Sequence, residues 1–335
     1  MYTGQLGIFA GAAPAPQTFS GPVDCGGAYV LPPQGRVFFV RGDGTTPTNL
    51  DDQYSALSTN QERRCYASIE AALAECKASR GDTIVVGSSH SQPVTATNIT
   101  NALVAGVQII GLGQGATRPK LNFTASTSTI TISVAGVSFR NIQFIMDYTA
   151  ATTVTAGITV TGEGCDLIDN YFHLGTSNTQ KCATMLTVSA ASCRFLHNLV
   201  VADTQATALT AVIALGTADT GADNFVCAGN YIKGSTGAAA TGVIKNIAST
   251  ATSTNIRIEN NFLQQWKSDS SAAISFAGNM VTTGIIRNNT LRVMDNASTA
   301  GIVVSGTGVD VTLDRNGLVN NVNETAIQNQ GTVSA

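Results

Sequence analysis

The sequence predicts an all-β fold, a right-handed parallel β-helix of about eight coils of 27–32 residues each, with a short helix capping its N-terminal end. Three observations predict it. A turn built on asparagine recurs at a nearly constant interval, apolar residues alternate on both sides of each turn, and helical spacing is absent from the whole repeating region. A unit of three short strands cannot bury its own inner face, but stacked units can.

The elements follow in chain order. Residues 1–35, opening "MYTGQLGIFAGAAPAPQTFSG", contain a short apolar run and no Lys or Arg before Arg36. That lacks the basic start of a secretory signal and reads as an extended arm. Residues 36–100 read as a capping segment. In "CYASIEAALAECKASRGDTIVV", Ile69, Ala72, Leu73 and Cys76 recur at helical spacing, so a helix is expected over 66–79, with Gly81 as its stop and a strand after it. Such a helix would cover strand edges and core that the first coil otherwise leaves open. Residues 101–322 form the β-helix, and 323–335 a C-terminal tail.

Within the solenoid, "GVSFRNIQF", "CDLIDNYFH", "CRFLHNLVV", "FVCAGNYIK", "IRIENNFLQ", "IIRNNTLRV" and "VTLDRNGLV" align on Asn141, Asn170, Asn198, Asn230, Asn261, Asn289 and Asn316. Their spacings are 29, 28, 32, 31, 28 and 27 residues. Upstream of the later anchors lies a second apolar run, such as "GITVTG", "AVIALG" or "AISFAG". Each unit therefore reads as strand, short turn, strand, Asn corner, short strand and variable loop. The corner needs a residue that tolerates the left-handed backbone region, and Asn does so at lower cost than most. Asn side chains stacked about 4.8 Å apart can also bond one another up the helix. Gly111 in "VQIIGLG" stands near the equivalent place one coil earlier.

Positions five and three before the anchor and two after it are mostly apolar, which predicts inward files. The first holds Cys165, Cys193, Phe225, Ile256 and Val311. The second holds Leu167, Phe195, Cys227, Ile258, Ile286 and Leu313, and the third Phe172, Val200, Ile232, Leu263, Leu291 and Leu318. The cysteines among them read as small buried thiols, with a Cys165–Cys193 bridge as the alternative.

Charged residues make up only 12% of the chain and the net charge is -3. Such a surface offers no general attraction to nucleic acid or anionic lipid, and no apolar run approaches a membrane span. The seven cysteines form no CxxC and no dense framework, as expected of a chain folded in a reducing compartment.

Catalytic equipment is sparse. Two before the anchor the residues are Phe139, Ile168, Leu196, Ala228, Glu259, Arg287 and Asp314. Glu259 and Asp314 would lie two coils apart, at the edge of the carboxylate separation used in inverting glycoside hydrolysis, with Arg287 between them. A surface charge ladder is the simpler reading, and hydrolysis the runner-up. Asp166 and Arg194 share a register in the same way, while Asp166 with Asp169 reads as a pair of turn acids, a small cation site or a hydrolytic pair. His90, His173 and His197 lack metal-ligand spacing, and no metal or cofactor is expected. "GLGQGA" reads as a turn rather than a dinucleotide loop. Of the two RGD triplets, Arg80–Asp82 reads as the helix stop and Arg41–Asp43 as a turn. Trp266 reads equally as a glycan contact or a loop-packing residue. The Thr-rich "TSTITIS" prompts a third, adhesin-like or ice-binding option.

"RVFFVRGDG", "YASIEAALAECKASRGDTIVVGSSH" and "LVAGVQIIGLGQGATRPKLNF" resemble the opening of right-handed parallel β-helix proteins carried by tailed-bacteriophage virions, and more generally the pectate-lyase-like fold. The likeness covers residues 36–145 by wording and the rest by repeat pattern. It implies a structural virion protein, a capsid decoration or cement subunit rather than an enzyme, forming self-associating posts as a homotrimer. The expected partners are copies of itself and the major capsid protein or another virion protein. Its place would be the particle surface, after synthesis in the host cytoplasm. The same resemblance carries an alternative, a tailspike-type depolymerase, glycoside hydrolase or lyase, acting on host surface glycan.

Overall fold

The computed structural model describes residues 35–41, 65–148, 154–174, 182–202, 209–217, 219–234, 242–247, 251–265, 272–276, 283–293, 301–304 and 310–320. The expected arm at 1–35, apart from Gly35, and the tail at 323–335 lie outside them. The described residues wind into a β-solenoid of three parallel sheets, with 11, 7 and 9 strands. Every strand pair is parallel and in register with the next coil. Each coil runs from the seven-stranded sheet, through the eleven-stranded sheet, around the Asn corner and into the nine-stranded sheet. The coil of Val154–Val160, Asp166–Ile168 and Tyr171–Leu174 is typical.

The corner divides its two tasks between neighbouring residues. The left-handed backbone falls on the residue before each ladder position, which is Ile142 in the first coil and an asparagine in the others: Asn141, Asp169, His197, Gly229, Asn260, Asn288 and Arg315 all have φ between 48° and 66°. The stacked residues make the hydrogen bonds. The backbone N–H of Asn170, Asn198, Asn230, Asn261 and Asn289 each donates to the Oδ1 of the next asparagine at 2.8–3.1 Å. Each Nδ2 donates to a carbonyl of the preceding coil, as from Asn230 to Phe195 at 2.8 Å.

Asn141 is not part of this file. Strand pairing sets Leu167 against Phe139 and Ile168 against Arg140, so Ile142 occupies the ladder position and its N–H donates to Asn170 Oδ1 at 2.9 Å. Asn141 instead takes the left-handed place and donates from Nδ2 to the carbonyls of Gly111 and Gly113.

The core is a bundle of files running along the axis. The two predicted files from Leu167 to Leu313 and from Phe172 to Leu318 stand in consecutive register, fully buried apart from the partly covered Leu313 and Leu318. Phe144 stacks on Phe172 at 4.7 Å between ring centroids, and Phe172 leans on Phe195 at 5.5 Å. Such pairs contribute about 0.5–1.5 kcal/mol beyond their buried area. Cys165, Cys193 and Cys227 are free buried thiols, so the alternative bridge is not formed.

The N-terminal end is closed by two short helices, α1 (Ile69–Leu73) and α2 (Asn98–Ala102), with Ile69, Ala72, Leu73 and Ile99 buried. Helix α1 is far shorter than the 66–79 expected. Ser68 caps its start, but Glu75 and Cys76 already donate to carbonyls three residues back, and the Lys77 N–H leaves for Asp82 Oδ2. Gly81 therefore does not stop the helix. At φ 77° it turns the chain so that Asp82, almost wholly buried, also accepts from Arg36 N and from Nε and Nη2 of Arg80.

Candidate functional site

On the outer face of the eleven-stranded sheet, one file reads Arg140, Ile168, Leu196, Ala228, Glu259, Arg287, Asp314. Phe139, expected at its head, points inward instead because of the one-residue shift at Asn141. The acid, arginine, acid succession is therefore real, with Glu259 and Asp314 two rungs, or about 9.6 Å, apart along the sheet.

The two carboxylates differ in their surroundings. Glu259, 8% exposed, accepts from Nε and Nη2 of Arg257 at 3.0 and 3.2 Å and from Nη2 of Arg287 at 3.3 Å. The Asp314 carboxylate, on a side chain 41% exposed, accepts only from Nε of its neighbour Arg315 among the described residues. One acid is thus held in a guanidinium clamp while the other faces water.

The neighbouring outward file carries Asp166 and Arg194, which form a two-pronged ion pair at 2.7 and 2.5 Å. That pairing raises the arginine above its ordinary value. Asp169 stands apart from it, exposed at the corner. The three histidines also stand apart. His90 is buried in the cap, His197 lies at the corner and His173 on the nine-stranded sheet. Among the described residues no three His, Cys, Asp or Glu side chains gather as metal ligands. The Thr file Thr131, Thr159, Thr187 on the seven-stranded sheet runs for three rungs before Ala214 interrupts it. Trp266, Gly42 and Asp43 lie outside the described residues.

A second outward surface went unremarked in the sequence. On the nine-stranded sheet Tyr171, Leu199, Tyr231, Phe262 and Thr290 stand in one file, each directly after a ladder asparagine. Tyr231 and Phe262 stack with ring centroids 4.8 Å apart and planes 6° from parallel, while Tyr231 is 43% and Leu199 40% exposed. The signal was available: if the residue two after the anchor points inward, the residue one after it must point out. Glu259 and Phe262 bracket the same corner, Asn260–Asn261, so the acid file and the aromatic file run side by side along one edge of the solenoid.

No known family model matches the chain, and no curated protein matches it. Two solved structures are similar. One is the A-module of a mannuronan C-5 epimerase from Azotobacter vinelandii, at 10% identity and a TM-score of 0.32, covering 73% of this chain and 88% of that one. The other is a pectin methylesterase in complex with a hexasaccharide, at 14% identity and a TM-score of 0.34, covering 79% and 91%. The three parallel sheets described above fit a pectate-lyase-like β-helix. Both similar structures are named as enzymes, which stands against the expectation that this chain is not one, and at these identities and TM-scores the likeness is one of fold alone. Likeness at this level transfers no residue role.

Proposed function

We propose that this chain acts on a polysaccharide, as a tailspike-type depolymerase of host surface glycan, with Glu259 and Asp314 as its acid pair. The observation that carries the reading is the common edge: two carboxylates two rungs apart in one outward file, beside a partly exposed aromatic file on which a sugar chain can rest. Two rungs set their backbones about 9.6 Å apart, just beyond the roughly 6.5–9.5 Å between carboxyl groups that an inverting pair uses, so the side chains have to lean together. In that reaction one carboxyl group of the pair gives a proton to the glycosidic oxygen that leaves, and the other, as carboxylate, takes one from the attacking water. Arg287, the longest of the contacts on Glu259 at 3.3 Å, has to swing away for Glu259 to reach the sugar.

Incubating the purified chain with capsule or lipopolysaccharide glycan of a bacterial host, and counting new reducing ends, tests this. The wild type is expected to release them, and Glu259→Gln and Asp314→Asn each to lose at least about a hundredfold in rate. Wild-type protein that releases none, or variants that keep full rate, would refute the reading.

The setting we propose is the surface of a tailed-bacteriophage particle, as a homotrimer contacting another virion protein. It rests on the resemblance of residues 36–145. Light scattering of the purified chain and mass spectrometry of intact particles test it, and a monomer absent from particles would overturn it.

A further inference from the structure

The outer face of the eleven-stranded sheet changes character along its length. From the capped end, strand register sets Phe39, Val85, Ile110, Arg140, Ile168 and Leu196 in one outward file, one residue to each rung. All but Arg140 are apolar. The strip stops two rungs short of Glu259, where the same file turns to charge. Phe39 is 40% exposed, Val85, Ile110 and Leu196 are partly exposed, and Ile168 is buried. The adjoining outward file holds Val37, Thr83, Gln108 and Ser138 on the first four rungs, none of them charged. Arg140 stands alone within this neutral surface. It is exposed and makes no hydrogen bond or ion pair among the described residues, whereas Arg194, Arg257 and Arg287 farther along the wall each hold a carboxylate.

The geometry limits what can cover such a strip. The backbone groups of these strands are spent on pairing coil to coil, so the face offers side chains and no free edge to an added strand. Six rungs about 4.8 Å apart make a strip roughly 24 Å long. An α-helix laid along it presents an apolar side chain at each turn of about 5.4 Å, so the two repeats drift apart by only about 3 Å over the whole strip. An extended segment presents one about every 6.6 Å and is out of step by the third rung. An apolar partner laid over Arg140 would take a cation out of water with nothing in exchange, unless it brings a carboxylate to that point.

We propose that this strip docks an amphipathic helix of a partner protein, about 16 residues long, with a Glu or Asp in its apolar stripe set against Arg140. Apolar side chains of that helix seat on Phe39, Val85 and Ile110 on the cap side of the ion pair, and on Ile168 and Leu196 on the other. The acid fixes the register and excludes basic helices. The surface lies clear of the acid pair, so it stands whether or not the chain cleaves a glycan.

Fluorescence anisotropy of the full chain with designed helical peptides tests this. One probe carries a leucine stripe with a single Glu near its middle. A second has Lys in place of that Glu, and a third keeps the composition of the first with its leucines scattered around the helix. We expect the Glu probe to bind at least roughly tenfold tighter than either of the others. Arg140→Glu should reverse the preference between the Glu and Lys probes, and Leu196→Asp should weaken the Glu probe roughly tenfold. If Leu196→Asp fails to fold, the reversal at the exposed Arg140 decides. Equal binding of the three probes, no binding below about 100 µM, or a preference that Arg140→Glu leaves unchanged overturns the proposal. So does a wild-type chain that light scattering finds self-associated and that Leu196→Asp turns into monomers, because the strip then belongs to a second copy.

Discussion

Asn230 and Asn261 stand one rung apart, and the Oδ1 of Asn261 accepts both the backbone N–H and the Nδ2 of Asn230, each at 2.9 Å. The same doubled contact recurs from Asn198 to Asn230, from Asn261 to Asn289 and from Asn289 to Asn316. These groups are buried, so each polar atom must find its partner within the protein. The ladder satisfies the backbone at a bend where sheet pairing is interrupted, and it fixes where the two outer walls meet.

Removing one amide from the middle of the ladder should therefore cost more than its own bonds. Asn230→Ala leaves the Asn198 N–H and the Phe195 carbonyl without their partners. At about 1–3 kcal/mol for each stranded buried group, a loss of roughly 2–4 kcal/mol is expected by urea unfolding. A loss below about 0.5 kcal/mol would mean that water replaces the ladder freely.

The two asparagines of the 260–261 corner make different demands. Asn260 supplies a left-handed backbone with φ 56°, which glycine adopts without strain. Asn261 supplies buried hydrogen bonds. Asn260→Gly is expected to change stability by less than about 0.5 kcal/mol and Asn261→Gly to lower it by roughly 2–4 kcal/mol. Equal effects would contradict the division of tasks.

The period, the strand order and the inward files were legible because burial imposes the same residue types at the same offset in every coil. Aligning on asparagine alone misplaced the first one. Counted from Asn141, the inward positions fall on Ser138 and Gln143; shifted by one residue, they fall on Phe139 and Phe144, which are buried. The apolar pattern thus held the register that the Asn letter obscured. The end of α1 was not legible, since Ala74, Glu75 and Cys76 continue a helical pattern and the break comes from Asp82, which draws off the Lys77 N–H. The aromatic file was overlooked because a low aromatic total hid its concentration on one wall.

Asp82 makes stability in the cap depend on pH. Burial pushes its carboxyl up, but the hydrogen bonds from Arg80, Lys77 N and Arg36 N outweigh that and hold it below the ordinary carboxylate range. A depressed folded value contributes stability above the unfolded pKa of about 3.9 and loses it as pH falls through the folded value. Asp82→Asn should cost about 3 kcal/mol at pH 7 by leaving Arg80 unpaired, and less below pH 3. Hydrogen exchange at the Ile69–Leu73 amides reads this, and a penalty that does not change with pH would contradict it.

The thiols are expected to be inert in the folded chain. Burial pushes Cys76, Cys182 and Cys227 up to about 12; in the Cys165–Cys193 pair the shared hydrogen bond raises Cys193 and lowers Cys165, whose protection is its burial alone. The six cysteines among the described residues are all buried, so alkylation at pH 8 should leave those six largely unmodified without denaturant. Rapid modification of several would show that the core opens.

Stability separates the two members of the acid pair. Glu259→Gln weakens a mostly buried clamp on two arginines and should cost roughly 1–3 kcal/mol, whereas Asp314→Asn, in an exposed pair, should cost less than about 0.5 kcal/mol. Thermal unfolding of both variants checks this. An activity loss in Asp314→Asn at unchanged melting temperature then belongs to chemistry.

The most direct measurement is the mass distribution of a bacterial surface polysaccharide, followed by light scattering during incubation with the full chain. Progressive shortening by the wild type, abolished in Asp314→Asn, is the predicted result. A polymer whose length never changes, at any protein concentration and on glycan from every host strain tried, would contradict it.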